Sequence, residues 1–352
     1  MDSMHQNGPA GREIVDMAGR HVMIPDTIKT VYAPSPYGFT MLCTVAPDML
    51  PGLLQPLQHK ELRFLPTCLH KLPVIGMLPE VAPLAEARPD LVIVWAEKSK
   101  PYHKKSEDAL NSIGIPFVYV TMGDLVDLRD YPAAYEFIGQ VLGRPDRAAE
   151  LSAFCRQTIL ETEAVLQKIP LEKRPRVYYA EGRDGLATEF DDSLHAHLLK
   201  LAGDVNLHRG KIQTHAGMEK VTIGQVAAAG PDVILAFDQA FFADVFTDPV
   251  WKAVKAVQNG RVHLIPSLPF NWFDRPPSFM RFIGLKWLMN LLYPEIYQID
   301  MIEETRHFFN LFMGISITAD DAALLINQAG RHRTTGLAPH RYPDSLKPVR
   351  KV

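Results

Sequence analysis

Two segments of the sequence share one pattern, and this repeat restricts the fold more than any other feature. Residues 84–97 read LAEARPDLVIVWAE, and residues 226–239 read VAAAGPDVILAFDQ. In each segment a short helical stretch ends at a Pro-Asp pair, because a residue that precedes proline disfavours the helical conformation. Four or five aliphatic residues follow, which is typical of a strand buried on both faces of a parallel sheet. The repeat therefore predicts two similar units.

A second apolar strand is predicted after each repeat, at residues 115–120 (IPFVYV) and 261–266 (RVHLIP), beyond an amphipathic stretch. A strand, a helix and a parallel strand form the βαβ unit. A chain of 352 residues also suits two domains of about 130 to 170 residues each. The sequence predicts an α/β fold of two similar lobes, each with a small, mostly parallel sheet flanked by helices.

One long helix is predicted between the two units. Pro145 suits a first helical position, Asp146 places negative charge at the helix start, and no glycine or proline interrupts residues 146–169. Such a helix would be about 36 Å long and would join the lobes as a rigid strut. The predicted divisions are a leader remnant (1–12), an N-terminal lobe (13–143), the interlobe helix (144–170), a C-terminal lobe (171–330) and a basic tail (331–352).

The charge balance and the apolar runs of the sequence indicate which kinds of partner to expect, and the cysteines indicate how they are paired. Lysine and arginine total 37 against 40 acidic residues, so the net charge of -3 gives no reason to expect nucleic acid as a partner. No apolar run approaches the length of a membrane span. The three cysteines, Cys43, Cys68 and Cys155, form no CxxC spacing. They are interpreted as buried free thiols, with a Cys43–Cys68 disulfide as the alternative.

Motifs for enzymatic chemistry are absent from the sequence. It contains no GxSxG, no GxxxxGK[ST], no GxGxxG after a strand and no HExxH. An α/β enzyme is therefore the second class of function, behind a protein that binds its ligand without covalent chemistry. His195 and His197 lie in a segment with helical spacing, where a two-residue step points side chains apart, so they do not form a chelating pair.

Several further segments, taken in order, resemble the class III periplasmic substrate-binding proteins. Residues 14–22 (IVDMAGRHV) are similar to that family's first hairpin, and residues 178–182 (YYAEG) to the first strand of its second lobe. Residues 201–206 (LAGDVN) resemble its AGG-x-N turn, and Tyr293-Pro294 a motif before its last helix. The resemblance runs from about residue 13 to about 325.

This resemblance implies a protein that serves an ABC importer for ferric siderophores, cobalamin, haem or metal ions. The expected partners are a small-molecule metal chelate or oxyanion and a permease dimer, with the protein itself a monomer. No intrinsic cofactor is implied, because the metal complex is the transported ligand. Family members carry one docking glutamate per lobe, but Ala82 and Gly224 stand at the matching places. An extracytoplasmic location is expected, in the periplasm or on a lipid anchor, with the secretion signal missing from this sequence.

The ligand is expected in the crevice beyond the carboxyl ends of the strands. Loop 267–281 (SLPFNWFDRPPSFMR) is the richest in aromatic and polar side chains. Aromatic faces beside a guanidinium suit an organic chelate or an oxyanion. The alternative is that Trp272 and Phe273 plug the lobe while Asp274 and Arg275 form a local ion pair. The candidate ligand-binding residues are Tyr37, Trp95, Arg183, Phe237, Asn271, Trp272, Phe273 and Arg275.

The identity of the ligand stays open at this point. A ferric siderophore fits aromatic side chains with one or two arginines, whereas haem requires a Tyr or His ligand. Molybdate or tungstate requires amide, hydroxyl and arginine donors, which Asn271, Arg275 and Tyr37 offer. A nickel or cobalt complex would recruit histidine, and His215 is the candidate metal ligand.

Overall fold

The computed structural model describes residues 11–100, 102–123, 126–211 and 217–327. His215 and the predicted tail at 331–352 lie outside these ranges. The strands are β1 (Gly11–Val15), β2 (His21–Pro25), β3 (Val31–Tyr32), β4 (Leu91–Glu97), β5 (Phe117–Met122), β6 (Val177–Ala180), β7 (Ala187–Thr188), β8 (Glu219–Lys220), β9 (Val233–Ala236) and β10 (Val262–Leu264). The helices are α1 (Pro36–Val45), α2 (His59–Leu62), α3 (Ala82–Ala87), α4 (Lys104–Ile113), α5 (Tyr131–Val141), α6 (Pro145–Leu166), α7 (His197–Leu201), α8 (Ile223–Ala229), α9 (Gln239–Asp244), α10 (Lys255–Gln258), α11 (Arg281–Leu292), α12 (Met301–Met313) and α13 (Ala319–Ile326).

Two small parallel sheets form the framework, which confirms the predicted α/β fold. One sheet has the order β3-β4-β5, and the other has the order β10-β9-β6. The strand of each repeated segment, β4 or β9, is central in its sheet and is buried almost throughout. Because a central strand has a neighbour on each side and helices on both faces, it requires a continuous apolar run. The prediction from the two repeats was correct for both strands.

The N-terminal hairpin packs onto the free edge of the first sheet. β1 and β2 pair antiparallel around a turn in which Gly19 has φ +82°. The hairpin begins at Gly11, so Gly11 and Arg12 lie in a strand. Within the turn, the Met17 amide donates to the Tyr119 carbonyl of β5 at 3.2 Å. The hairpin therefore covers backbone groups that an exposed sheet edge would leave unpaired.

Helix α6 runs from Pro145 to Leu166, three residues shorter at its end than predicted. It packs against α5 and α11 and buries one face, which includes Leu151, Cys155 and Ile159.

The three cysteines are free thiols, as predicted, but Cys68 is exposed rather than buried. Among the helices of the described ranges, none is long and apolar enough to cross a membrane.

Two predicted motifs of the second half meet in space. The Tyr293 hydroxyl donates to the Ala202 carbonyl at 2.9 Å. Asn206, at the end of the 201–206 turn, donates from its side-chain amide to the Glu189 carbonyl at 2.9 Å. These bonds fix the turn after α7 to the end of α11 on one side and to the loop after β7 on the other.

Candidate functional site

Tyr37 and Trp95 are brought together at the carboxyl ends of neighbouring strands. Tyr37 follows β3 in the first turn of α1, where Ser35 accepts a hydrogen bond from the Gly38 amide and Pro36 starts the helix. Trp95 lies near the end of β4. Their rings stack with centroids 5.3 Å apart and planes inclined by 26°. Both side chains are partly exposed, so the pair presents an aromatic surface at this edge of the sheet.

Charged residues that follow β10 affect the ionisation of Tyr37. Burial raises the pKa of the Tyr37 phenol, Arg281 and Arg275 oppose that rise, and Glu97 and Asp274 add to it. Tyr37, Trp95 and Phe270, which lies in the loop after β10, all pack against the same hydrophobic core. We call Tyr37, Trp95, Arg275 and Arg281 the junction site.

Three buried carboxylates surround Arg275, and we call Glu181, Glu189 and Asp274 the carboxylate cradle. Arg275 Nε donates to Glu181 at 2.8 Å and lies 3.5 Å from Asp274, and Arg275 also donates to Glu189. The cradle side chains are at most 1% exposed. Burial alone would lower the pKa of Arg275, but the three carboxylates hold it above its usual value. The arginine stays charged and is already engaged by anions.

The cradle is itself tied to several elements. The Ser193 hydroxyl donates to Glu189 at 2.6 Å, and the Met218 amide donates to the same carboxylate at 2.8 Å. The Tyr179 hydroxyl donates to Asp274 at 2.9 Å. Burial raises the pKa of Glu181 well above its ordinary value, with Arg275 opposing that rise and the other two carboxylates adding to it. A protonated Glu181 would relieve part of the repulsion within the cradle.

Three candidate residues of loop 267–281 lie inside the fold. Trp272 is 0% exposed and donates from its indole nitrogen to the Leu268 carbonyl at 3.0 Å. Phe273 is buried against Tyr179, with ring centroids 4.9 Å apart. The Asn271 side-chain oxygen accepts from two amides of its own loop. The Trp272 and Phe273 rings are thus buried in the fold, and the Asn271 oxygen is engaged within its own loop.

The remaining candidates are dispersed. Arg183 is 72% exposed and lies 3.7 Å from Asp244 in a surface ion pair. Phe237 follows β9 and packs, partly buried, against the main core. His195 lies 3.1 Å from Asp274 and His197 lies 3.4 Å from Asp127, so the two histidines point to different partners as predicted. Within the described ranges no group of three or more His, Cys, Asp or Glu is arranged to hold a metal ion.

Arg281 was not among the candidates. It begins α11 within an otherwise apolar stretch, is 1% exposed, and donates to the Val126 carbonyl. The signal that could have revealed it is the charge itself, since an arginine among buried residues needs a specific partner.

The model of the periplasmic binding protein family matches residues 76–268, more than half of the chain. The chain belongs to this family. An ABC transporter solute binding protein from Sulfurospirillum deleyianum is 30% identical, with 90% of this chain and 99% of that one aligned and a TM-score of 0.82. A molybdate periplasmic binding protein from Haemophilus influenzae, solved with molybdate, is 20% identical over 87% of this chain and 99% of that one, with a TM-score of 0.70.

A curated relative, an Fe(3+)-citrate-binding protein of Bacillus subtilis (strain 168), is 23% identical over 188 residues. The match covers 53% of this chain and 56% of that protein, so the chain aligns with just over half of its relative's length. The family model and the 30%-identical solute binding protein confirm the family predicted from the motif order. The molybdate-binding structure, at 20% identity, supports the fold alone.

Proposed function

We propose that this protein is the extracytoplasmic substrate-binding component of an ABC importer and captures a metal chelate, such as a ferric siderophore, between its two lobes. The lobes would be residues 13–143 and residues 171–330, with α6 between them. The protein acts as a monomer that delivers its ligand to a permease dimer. It performs no covalent chemistry, and the metal belongs to the ligand.

The stacked pair of Tyr37 and Trp95 beside the junction arginines carries this proposal. Planar aromatic faces bind organic chelates through dispersion and through contact with polarised rings, and they lose little conformational freedom when they do. The name of the Bacillus subtilis relative supports a ferric chelate as the ligand class. Molybdate or tungstate is the second candidate, favoured by the guanidinium nitrogens of Arg281 that have no partner among the described residues.

The test is native mass spectrometry with elemental analysis on protein from its own host, followed by calorimetric titration with the recovered complex. We expect a retained metal complex whose affinity falls by roughly two- to tenfold in Trp95→Ala, since an aromatic pair contributes about 0.5–1.5 kcal/mol. Phe246→Ala removes an exposed aromatic ring that packs edge-to-face against Phe242, and it should leave the affinity unchanged. Turnover of a substrate without a retained ligand would instead support an α/β enzyme.

A further inference from the structure

The carboxylate cradle would carry excess negative charge if all of its members were ionised. Its side chains are at most 1% exposed, and Arg275 contacts each of them. Three carboxylates would then face one guanidinium away from water. His195, whose side chain is 15% exposed, lies 3.1 Å from Asp274 and would add a positive charge only if protonated. Uncompensated charge is costly in the protein interior, so the cradle favours a bound cation or proton.

Two members of the cradle receive donors that suit a charged carboxylate. Glu189 accepts hydrogen bonds from the Ser193 hydroxyl and the Met218 amide, in addition to Arg275. Asp274 accepts a hydrogen bond at 2.9 Å from a buried tyrosine hydroxyl of β6. Hydrogen bonds donated to a carboxylate stabilise its charged form. These contacts therefore favour the ionised state of Glu189 and Asp274.

Glu181 is different, because one of its oxygens has no donor. Its Oε1 accepts from Arg275 Nε at 2.8 Å, but Oε2 is buried and has no hydrogen-bond partner among the described residues. Asp274 Oδ2 likewise has no hydrogen-bond partner there, and it lies 3.5 Å from the same Arg275 nitrogen. The two carboxyl groups thus approach each other beside Arg275. A proton on Glu181 would turn an acceptor into a donor and remove one buried charge.

We propose that the carboxylate cradle is a buried proton-binding site in which Glu181 carries a proton at neutral pH. Burial raises the pKa of Glu181 well above its ordinary value, in agreement with this assignment. Loss of the proton would add an anion beside Asp274 and weaken the attachment of the 267–281 loop to the segments that carry Glu181 and Glu189. The inference goes beyond the proposed function, because the cradle holds this loop whichever ligand is bound.

Other titratable groups face the proton from several elements. Besides the remaining members of the cradle and Arg275, they are Tyr37 at the start of α1, Tyr178 and Tyr179 in β6, and His195 before α7. Burial raises the pKa of all three tyrosines, so each stays protonated and neutral at pH 7. His195 is the group whose titration has to be separated from that of Glu181.

Infrared spectroscopy of the full chain at pH 7 tests the assignment. The wild-type spectrum should contain the carbonyl band of a protonated carboxyl group, and Glu181→Gln should lack it. Glu163→Gln, which replaces a carboxylate that is 45% exposed, should retain the band, and so should His195→Asn. A wild type without the band overturns the inference. Loss of the band in His195→Asn also overturns it, because the proton would then depend on the imidazole and not on Glu181.

Stability against pH gives a second readout. Folding raises the pKa of Glu181, so its contribution to stability is complete below the unfolded value, near 4.5, and is lost as the pH rises towards the folded value. Glutamine cannot ionise, so between pH 5 and 7 the folding equilibrium constant of Glu181→Gln should rise about tenfold per pH unit relative to wild type. A constant ratio between the two proteins would mean that Glu181 is ionised in both states.

Glu189→Gln is the matched variant within the cradle. It weakens an acceptor that three donors share, and it should be less stable than the wild type throughout this pH range. If Glu181→Gln does not fold, isotopic labelling of the glutamate side-chain carboxyl group assigns the wild-type band without a variant. A band that does not shift on labelling belongs to an aspartate and overturns the inference.

Discussion

The carboxylate cradle has three side chains, and we expect the removal of Glu189 to destabilise the protein more than the removal of either other member. It is fully buried and accepts hydrogen bonds from Arg275, Ser193 and the Met218 amide. Glu189→Ala leaves these donors without their acceptor, and breaking one partner of a buried ion pair costs about 3–5 kcal/mol. Chemical denaturation should show this loss in the free energy of unfolding.

The matched variant is Glu163→Ala, which removes an ion pair with Arg129 whose side chains are 45% and 49% exposed. It should cost at most about 1 kcal/mol, because solvent screens exposed pairs. Equal effects of the two variants would mean that the cradle contributes no more than a surface ion pair.

Single residues of the site were predictable only where their position in a strand decides their placement. Tyr37 and Trp95 were predicted because each lies near the carboxyl end of a strand, and the structure stacks them. The orientation of Trp272 within its loop depends on a bond to the Leu268 carbonyl, which residue types alone do not reveal. Arg275 bonds to Glu181 and Glu189, which lie 94 and 86 residues away from it in the sequence. A local sequence pattern cannot predict contacts over such separations.

Helix α11 and the 267–280 loop require a glycine where they touch. A Cβ atom on Gly284 would lie 1.8 Å from the Trp272 carbonyl oxygen, a backbone atom that cannot rotate away. Gly284→Ala must therefore separate the helix from the loop, and overpacking of this kind costs about 1–3 kcal/mol. The melting temperature should fall, and ligand affinity should fall with it because the loop and Arg281 both move.

Gly224→Ala in α8 is the comparison, since its Cβ would come no closer than 3.9 Å to the one neighbour in range, the Thr222 hydroxyl. Alanine favours the helix over glycine, so this variant should be unchanged or more stable by up to about 1 kcal/mol. A Gly284→Ala protein as stable as Gly224→Ala would contradict the described packing of α11 on the loop.

The secondary structure itself was more predictable than these contacts. β4 and β9 follow from their Pro-Asp breaks and apolar runs, and α6 from its uninterrupted helical stretch. The end of α6 was placed three residues too late, because Gln167, Lys168 and Ile169 carry no signal that stops a helix before Pro170. The carboxyl ends of the two sheets could be expected to face one another only through family resemblance.

Across the whole molecule, α7 and α11 of the second half contact one short segment of the first. His197 lies 3.4 Å from Asp127, and Arg281 donates to the adjacent Val126 carbonyl. The His197 side chain is 3% exposed, while Asp127 is 31% exposed. Any rearrangement that separates the two halves has to break both contacts, so the ionisation of this pair influences how firmly the halves are held together.

The pH dependence of stability should report this contact. Burial lowers the pKa of His197 despite the opposing effect of Asp127, so between pH 7 and 5 the unfolded chain binds a proton at this position more readily than the folded protein. Stability from His197 is therefore present above its unfolded pKa, near 6.5, and decreases as the pH falls below it. His197→Asn should have a lower melting temperature at pH 7.5 but a shallower decrease from pH 7 to pH 5.

Other buried histidines also contribute to the loss of stability between pH 7 and 5, so the His197→Asn protein cannot lose its pH dependence entirely. Burial also lowers the pKa of His208, and it lowers that of His263 to about 4, so part of the decrease in stability must remain in the His197→Asn protein.

The variant Asp127→Asn separates the contribution of Asp127 from that of His197. His197 and Arg129 hold the pKa of Asp127 well below its ordinary value against the effect of burial, so its stabilisation is lost only at more acidic pH. This variant should be less stable at pH 7.5, and its stability should decrease between pH 7 and 5 at least as steeply as that of the wild type, because the pKa of His197 falls further without Asp127. If His197→Asn has the wild-type slope, His197 binds protons equally in both states and does not contribute to the pH dependence of this contact.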